Sequence, residues 1–545
     1  MKTNKSKKEK KLHKKSVHNL KSKEEKSDKV KDDSKSKDKI ESDKIKKGIL
    51  ESYEIEVDKA KVRINIKKMD YGIEYNLEVP EVSVATTALL DEIRNELVSA
   101  TTIGMKEITD PNAFYEIKKR FLVEAKNLLK SKIPTLNDST RDFFIGKLIQ
   151  DMLGLGEIEY LINDPSLEEV VIPTSKEKIK IYHKKYGWIT TNLKVKREEQ
   201  ISNYSSIIAR RVGKQITVLS PLLDAHLISG DRINSILYPV STKGNTITIR
   251  KFARDPYTII DFIINETCNL EVACLIWIAI EYEMNILISG GTASGKTSFL
   301  NACLPFIPPN HRIISVEDTR ELMLPDFLYW TPLVTRTPNP EGKGAVTMLD
   351  LLVNSLRMRP DRIILGEMRR QEEAMVLFEA MHTGHSVYAT MHADSAAETI
   401  SRLTNPPLNV PKNLLKAVNL NVVMFRDRRR GFRRVLQVAE IESNQDIVNP
   451  NILYRWLAES NKIIKHNESS RFFEDISRNT GMSENEITRD LETKKKILIW
   501  LIEHQKKNLL RGLETIGKVM NLYYSNREEL MRIISKNDVK KIIGK

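Results

Sequence analysis

Apolar and polar positions change rhythm three times along this chain. Residues 50–82 alternate, as in Lys61-Val-Arg-Ile-Asn-Ile-Lys67 and Tyr75-Asn-Leu-Glu-Val79, the period-two pattern of half-buried strands. Over 85–98 and again over 114–129, apolar residues return every three or four positions, which predicts helices. Lys147-Leu-Ile-Gln-Asp-Met-Leu-Gly-Leu-Gly156 closes a further helix on glycines. Short strands follow at 168–172, 178–183 and 188–195, then a helix over 198–211 and a strand pair flanking Lys243-Gly-Asn245. This reads as a mixed α/β domain ending near Lys251, with Asp255-Pro256 as the linker. From about 258 to 442 apolar strands at 286–288, 313–316, 363–365, 387–390 and 435–439 alternate with helices. That is the pattern of a mostly parallel, doubly wound sheet. Beyond Asn444 the chain reads as helical, with Ser483-Glu-Asn-Glu486 and Ser525-Asn-Arg-Glu528 as capping boxes opening two helices. The expected segments are 1–48, 49–145, 146–254, 255–443 and 444–545.

Composition changes this picture only at the beginning of the chain. Of the net charge of +15, residues 1–23 carry +9 and residues 24–48 carry +1, so the rest is close to balance. Residues 1–48 are almost all Lys, Ser, Asp and Glu without one aromatic, and they lack the apolar surface to offset ordering entropy; disorder is expected there. The basicity therefore gives no ground for nucleic-acid binding by the folded body; the tail is expected to serve solubility, and the sharper alternative is weak attraction to an anionic membrane or to nucleic acid. No stretch reads as a secretory signal and no apolar run approaches the ~18 residues of a membrane span, so a cytoplasmic protein is expected. Cys268, Cys274 and Cys303 form no C-x-x-C pair and read as buried thiols.

The chemistry centres on Gly290-Gly-Thr-Ala-Ser-Gly-Lys-Thr297, which follows the apolar run Ile286-Leu287-Ile288 and leads into a breaker-free helical stretch, Ser298-Phe-Leu-Asn-Ala302. Strand, glycine loop and helix in that order predict a phosphate-binding loop. Gly290 and Gly295 let the backbone curl so that N–H groups face an anion, and the helix N-terminus adds partial positive charge. Across Gly290, Gly291, Thr292, Ala293, Ser294, Gly295, Lys296, Thr297 and Ser298, the predicted contacts are to a nucleotide. Lys296 would reach its β- and γ-phosphates, and Thr297 would offer a hydroxyl to Mg²⁺.

Three further stretches end predicted strands, where ligands sit in open α/β sheets. Ile313-Ile-Ser-Val-Glu-Asp-Thr-Arg320 delivers Glu317 and Asp318 together. Arg362-Ile-Ile-Leu-Gly-Glu-Met-Arg369 ends on Glu367, with Gly366 where an Asp commonly precedes the Glu of a Walker-B strand. Thr383-Gly-His-Ser-Val-Tyr-Ala-Thr-Met-His-Ala-Asp394 places His392 at the nucleotide end of its strand and His385 at the other. His392 is expected to sense the γ-phosphate and His385 to be structural.

With these motifs in this order, and with Ser355-Leu-Arg-Met-Arg-Pro-Asp361 between them, the chain resembles the type II/type IV secretion ATPases. These are the hexameric motors of secretion systems, type IV pili and archaeal flagella. The likeness runs from about 154 to 441 and is nearest the archaeal branch; the four-cysteine zinc insert of many bacterial members is absent. It implies a RecA-like P-loop domain preceded by a PAS-like α/β domain and followed by C-terminal helices. It implies Mg²⁺ and activated water at Glu317 and Glu367, with Glu367 the first expectation for the base. Two arginines of the N-terminal domain would complete the site; the matching positions are Arg232 and Arg250. It further implies an ATP-hydrolysing homo-hexamer on the inner face of the cell membrane, working on a polytopic membrane platform. The rival expectation is a RecA-like nucleic-acid translocase.

Overall fold

The computed structural model describes residues 48–80, 82–100, 113–227, 230–252, 255–338, 342–444 and 447–543; the expected disorder of 1–48 lies almost wholly outside these residues. The chain divides into two compact units, Met1–Phe252 and Ala253–Lys545.

The first unit is built on one nine-stranded sheet. Its strands are β1 (Ile49–Val57), β2 (Ala60–Met69), β3 (Gly72–Glu78), β4 (Leu167–Ile172), β5 (Lys180–His183), β6 (Gly187–Thr191), β7 (Leu222–His226), β8 (Arg232–Ile236) and β9 (Thr246–Arg250). They lie in the order β1-β2-β3-β6-β5-β4-β9-β8-β7, antiparallel except for the parallel pair β3–β6. Helices α1 (Val84–Ala100), α2 (Ala113–Lys132), α3 (Asp138–Leu153), α4 (Ile158–Asn163) and α5 (Glu198–Arg211) share its core. The segments 49–145 and 146–254, separate on sequence, are thus two parts of one sheet. Asp164 ties them together, because its Oδ2 accepts from the hydroxyls of both Tyr53 and Tyr75 at 2.7 Å.

The second unit also carries nine strands. They are β10 (Ile286–Gly290), β11 (Arg312–Glu317), β12 (Tyr329–Val334), β13 (Arg362–Leu365), β14 (Ser386–Met391), β15 (Leu420–Arg426), β16 (Arg433–Asn444), β17 (Ile447–Leu457) and β18 (Lys462–Lys465). In the order β12-β11-β13-β14-β10-β15-β16-β17-β18, the first six run parallel and the rest continue antiparallel. Side chains of the parallel strands alternate between two buried layers. Ile286 and Ile288 enter the core shared with α6 (Ile259–Ile264), α7 (Leu270–Glu281) and α8 (Lys296–Cys303). Leu287 enters the core shared with α9 (Met348–Leu356), α10 (Gln371–His382) and α11 (Ala396–Thr404). Burial on both faces explains why these strands read as unbroken apolar runs.

Two sequence expectations are corrected here. The region beyond Asn444 does not begin helical: β17 and β18 extend the sheet before α12 (Phe472–Thr480), α13 (Glu484–Lys506), α14 (Gly512–Ser525) and α15 (Arg527–Lys536). Their side chains alternate only partly with burial, because they form the thin outer rim of the sheet. The predicted box at Ser525 is also displaced. Ser525 ends α14, and Asn526 caps α15 by accepting from the Glu529 amide at 3.0 Å. The box at Ser483 and Glu486 forms as expected. Trp500, Tyr523 and Leu530 of the C-terminal helices lie in the same core as α7, so these helices belong to the body of the second unit.

Candidate functional site

Strand β10 is buried along its whole length and ends at Gly290, whose φ of 150° suits glycine alone. A Cβ at Gly290 would stand 2.4 Å from the Met424 carbonyl oxygen and 2.6 Å from Ser294 Oγ. Gly295, at φ 91°, turns the chain into α8, whose N-terminus has no side-chain cap, leaving its first N–H groups for a ligand. Ala293 is also left-handed at φ 60°. Gly291 lies so close to Asp394 that a Cβ would fall 2.8 Å from its Oδ1. Thr292, Ala293 and Ser298 are exposed, Thr297 is half-buried, and Ser294 is buried with a hydroxyl that has no partner. Lys296 is buried, and its Nζ donates to the carbonyls of Gly290 at 2.9 Å and Gly291 at 3.1 Å. Burial lowers its pKa, against the pull of Glu367, Asp394 and Glu321.

Glu317 ends β11 and is 1 % exposed. Its Oε1 accepts from the amides of Glu321 at 2.9 Å and Leu322 at 3.1 Å, which fixes the side chain, while its buried Oε2 has no partner. Burial pushes this carboxyl up to about 7, the two amide bonds opposing the shift. Gly366 is why the side chain fits: a Cβ there would stand 3.3 Å from Glu317 Cγ, so the missing Asp of the usual motif is a matter of room.

Glu367 follows on a segment pinned to β14, since Met368 N donates to the Thr390 carbonyl at 2.8 Å and Thr390 Oγ1 donates to the Gly366 carbonyl at 2.5 Å. Both carboxylate oxygens are occupied: Arg369 Nη2 lies 2.7 Å from one and His392 Nε2 lies 3.1 Å from the other. Burial would raise its pKa, but Arg369, His392 and Lys296 together hold it below the usual value. Burial lowers the His392 pKa as well, aided by Lys296, whose Nζ lies 3.4 Å from Nδ1. Lys296, His392 and Glu367 thus form one continuous chain at the carboxyl end of the sheet. His385 instead caps the turn after α10, its Nδ1 3.2 Å from Thr383 Oγ1.

Sequence reasoning singled out neither Arg369, which also reaches Asp318 Oδ2 at 2.8 Å, nor Asp394 beside Gly291. Both stand inside the quoted motifs, two residues beyond Glu367 and His392, and that spacing was the available signal. Arg433 was missed too; its Nε donates to the Ala293 carbonyl at 3.2 Å. The two predicted N-terminal arginines lie in the other unit. Arg232 pairs with Asp224 at 3.0 Å, and Arg250 stands opposite Glu169 in the register of β4 and β9.

Residues 177–444 match the family model described as "Type II/IV secretion system protein". The uncharacterized protein MJ0900 of Methanocaldococcus jannaschii is 36% identical over 427 residues, covering 76% of this chain and 75% of that protein. Conjugal transfer protein TrbB of Rhizobium radiobacter is 31% identical over 41% of this chain and 68% of its own length. The crystal structure of the VirB11 ATPase from the Brucella suis type IV secretion system aligns over 52% of this chain and 92% of its own at 25% identity, with a TM-score of 0.27. The chain belongs to the type II/IV secretion system protein family. With the phosphate loop complete, it is an ATP-binding hydrolase of that family, an ATPase.

Proposed function

We propose that this ATPase works as a ring, most simply a homo-hexamer, that converts hydrolysis into domain motion and drives type II/IV protein secretion or the assembly of a pilus- or archaellum-like filament at the membrane. The order β11-β13-β14-β10-β15, with the strand that feeds the phosphate loop between its neighbours β14 and β15, supports a RecA-like reading of the second unit. ATP would lie at the carboxyl ends of these strands, its phosphates on the loop N–H groups and Lys296. The donors fit a hard divalent cation: a threonine hydroxyl and two carboxylates, one of which has a buried oxygen without a partner. Thr297, Glu367 and, by way of the water it activates, Glu317 would hold Mg²⁺, and when bound it supplies positive charge against the phosphate oxygens. Nucleotide oxygens would complete the shell.

The observation that carries the mechanism is the unpartnered Oε2 of Glu317. We assign Glu317, rather than Glu367, the proton of the attacking water. Its carboxyl sits near neutrality and its free oxygen can accept, whereas both oxygens of Glu367 are already committed. His392 reports occupancy at the γ-phosphate to Glu367 through their shared contact. Arg232 and Arg250 are the arginines proposed to neutralise the charge that develops during hydrolysis. The membrane platform would be a separate, polytopic partner; among the described residues no helix is long and apolar enough to cross a membrane. The N-terminal tail supplies weak anionic-membrane attraction at the inner face.

The ring is tested by steady-state hydrolysis with light scattering across a dilution series. Turnover per chain should rise as subunits assemble, and Arg232→Ala and Arg250→Ala should each lower turnover far more than ATP affinity. Full activity in a strictly monomeric sample overturns the ring. Stimulation by DNA or RNA, with none by anionic lipid, would favour the translocase reading.

A further inference from the structure

The hairpin joining β15 to β16 carries Arg426-Asp-Arg-Arg-Arg-Gly-Phe-Arg-Arg434. Asp427 folds its turn by accepting from the amides of Arg429 and Arg430 at 2.8 and 2.9 Å, leaving Arg428, Arg429 and Arg430 exposed at the tip. The stem places Arg426 directly opposite Arg433 across the two antiparallel strands. Residues paired in this way project on the same face, where like charges destabilise a sheet unless something anionic lies between them. Among the described residues neither arginine is ion-paired with a carboxylate.

The position of this pair is informative. Strand β10 runs beside β15 in parallel register up to Gly290 against Met424, and there β10 gives way to the phosphate loop. Arg426 stands two residues further along β15, on the face Met424 shares, which is the face covered by α8. Arg433 lies against the loop itself. Besides its bond to the Ala293 carbonyl, its Cδ lies 3.3 Å from where a Cβ on Gly295 would stand. Two arginines that repel each other therefore stand beside a loop whose N–H groups await phosphates, on the side away from His392 and Glu367.

We infer that Arg426 and Arg433 form a second wall of the nucleotide site and bind the nucleoside-side phosphates, the α- and β-phosphates shared by ATP and ADP. This rests on the phosphate-loop reading given above. The pair acts in holding nucleotide before and after cleavage, since the γ-phosphate faces the opposite wall. The anion also relieves the repulsion across the hairpin, so nucleotide binding and hairpin order support each other.

The test measures ADP affinity, with KM and kcat for ATP, in the full chain and in Arg433→Ala, Arg426→Ala, Arg429→Ala and Lys296→Ala, each checked by melting curve. Loss of a charge-assisted hydrogen bond to phosphate should weaken ADP about tenfold in Arg433→Ala and Arg426→Ala, raise KM for ATP in parallel, and change kcat less than about threefold. Arg429→Ala, at the tip, should bind ADP as the wild type does. A loss confined to Arg433→Ala means that Arg433 merely braces the loop, because Arg426 has no bond to the loop, and that result overturns the inference. ADP affinity unchanged in both stem variants, or an equal loss in Arg429→Ala, overturns it too. If Lys296→Ala alone abolishes ADP binding, the phosphate-loop reading stands and only this inference falls. If Lys296→Ala binds ADP normally, the phosphate-loop reading itself has failed.

Discussion

Two buried glutamates in the same sheet meet opposite fates. Glu317, in the parallel part of the second unit, has one oxygen held by two amides and the other left without a partner. Glu440, on β16 in the antiparallel part, is equally hidden, yet six donors surround its carboxylate: Asn451 Nδ2, the amides of Ser470, Arg471 and Phe472, and the hydroxyls of Ser469 and Ser470. Burial alone would raise both. Only in Glu317 does burial win, moving it to about 7, whereas the donors around Glu440 hold it below the usual range. The parallel region keeps costly unmet hydrogen-bonding capacity at the end of β11, whereas among the described residues no buried side-chain oxygen or nitrogen of β16, β17 or β18 lacks a partner. An under-satisfied strand end is where chemistry belongs; the saturated carboxylate within β16 is a clamp, here fixing the start of α12 to the sheet.

The largest effect belongs to the first region. Lys296→Ala should lower ATP turnover by at least about 10²–10³-fold, because the ammonium is the fixed charge aimed at the phosphates. Far-UV circular dichroism should stay unchanged, since Nζ bonds only loop carbonyls and stands near His392. Normal turnover in the folded variant would break the comparison at its root.

Next come the two carboxylates of that region. Glu317→Gln should cut kcat by about 10²–10⁴-fold with ATP still bound, and Glu367→Gln should cost less on the proposed assignment, in which Glu367, held by Arg369 and His392, leaves the proton to Glu317. Single-turnover kinetics with a binding assay decide the order. The same Glu317→Gln variant should melt higher than the wild type at pH 8. A carboxyl whose folded pKa lies above its unfolded value loses stability as pH rises between the two, and a neutral amide removes that cost. A smaller kinetic loss than in Glu367→Gln would return the base to Glu367.

Gly366→Ala sharpens the same point at lower amplitude. The added methyl would press on Glu317 Cγ, and Glu317 cannot retreat without breaking its amide bonds. A fall in kcat of about tenfold with little change in KM is expected, since a displacement of a few tenths of an ångström matters at a reacting group. Unaltered kcat would mean that the position of Glu317 is not critical.

How far the sequence foretold this contrast depended on burial. The parallel strands are apolar on both faces, so 286–288, 313–316, 363–365 and 387–390 stand out, and their ends named Glu317, Glu367, His392 and the loop. Strand β12 was invisible because Pro332 interrupts Tyr329–Val334 at the sheet edge, where proline is tolerated. The strands β17 and β18 carry Asn and Lys among their apolar residues and resemble nothing periodic. Glu440 gave no sign of its role, because its partners lie 11 to 32 residues away. The split of pKa values between Glu317 and Glu367 was equally hidden: it depends on which oxygen meets a donor, and spacing along a chain does not encode that.

The smallest effect tests the saturated carboxylate of Glu440. In Glu440→Gln one carboxylate oxygen becomes an NH₂ facing donors, so at pH 7 the variant should be less stable by about 1–3 kcal/mol in urea unfolding of the second unit. The sign with pH follows from the direction of the shift. The folded pKa of Glu440 lies below its unfolded value, so its contribution is complete above the unfolded pKa of about 4.3 and is lost as pH falls through the folded one. The gap between wild type and Glu440→Gln should therefore be widest near neutrality and close below about pH 4, as the wild type itself becomes protonated. Glu317→Gln should move the other way over its own window, gaining on the wild type between about pH 4.3 and about 7. Parallel curves for all three proteins across this range would mean that the two carboxylates do not differ in the way their surroundings require.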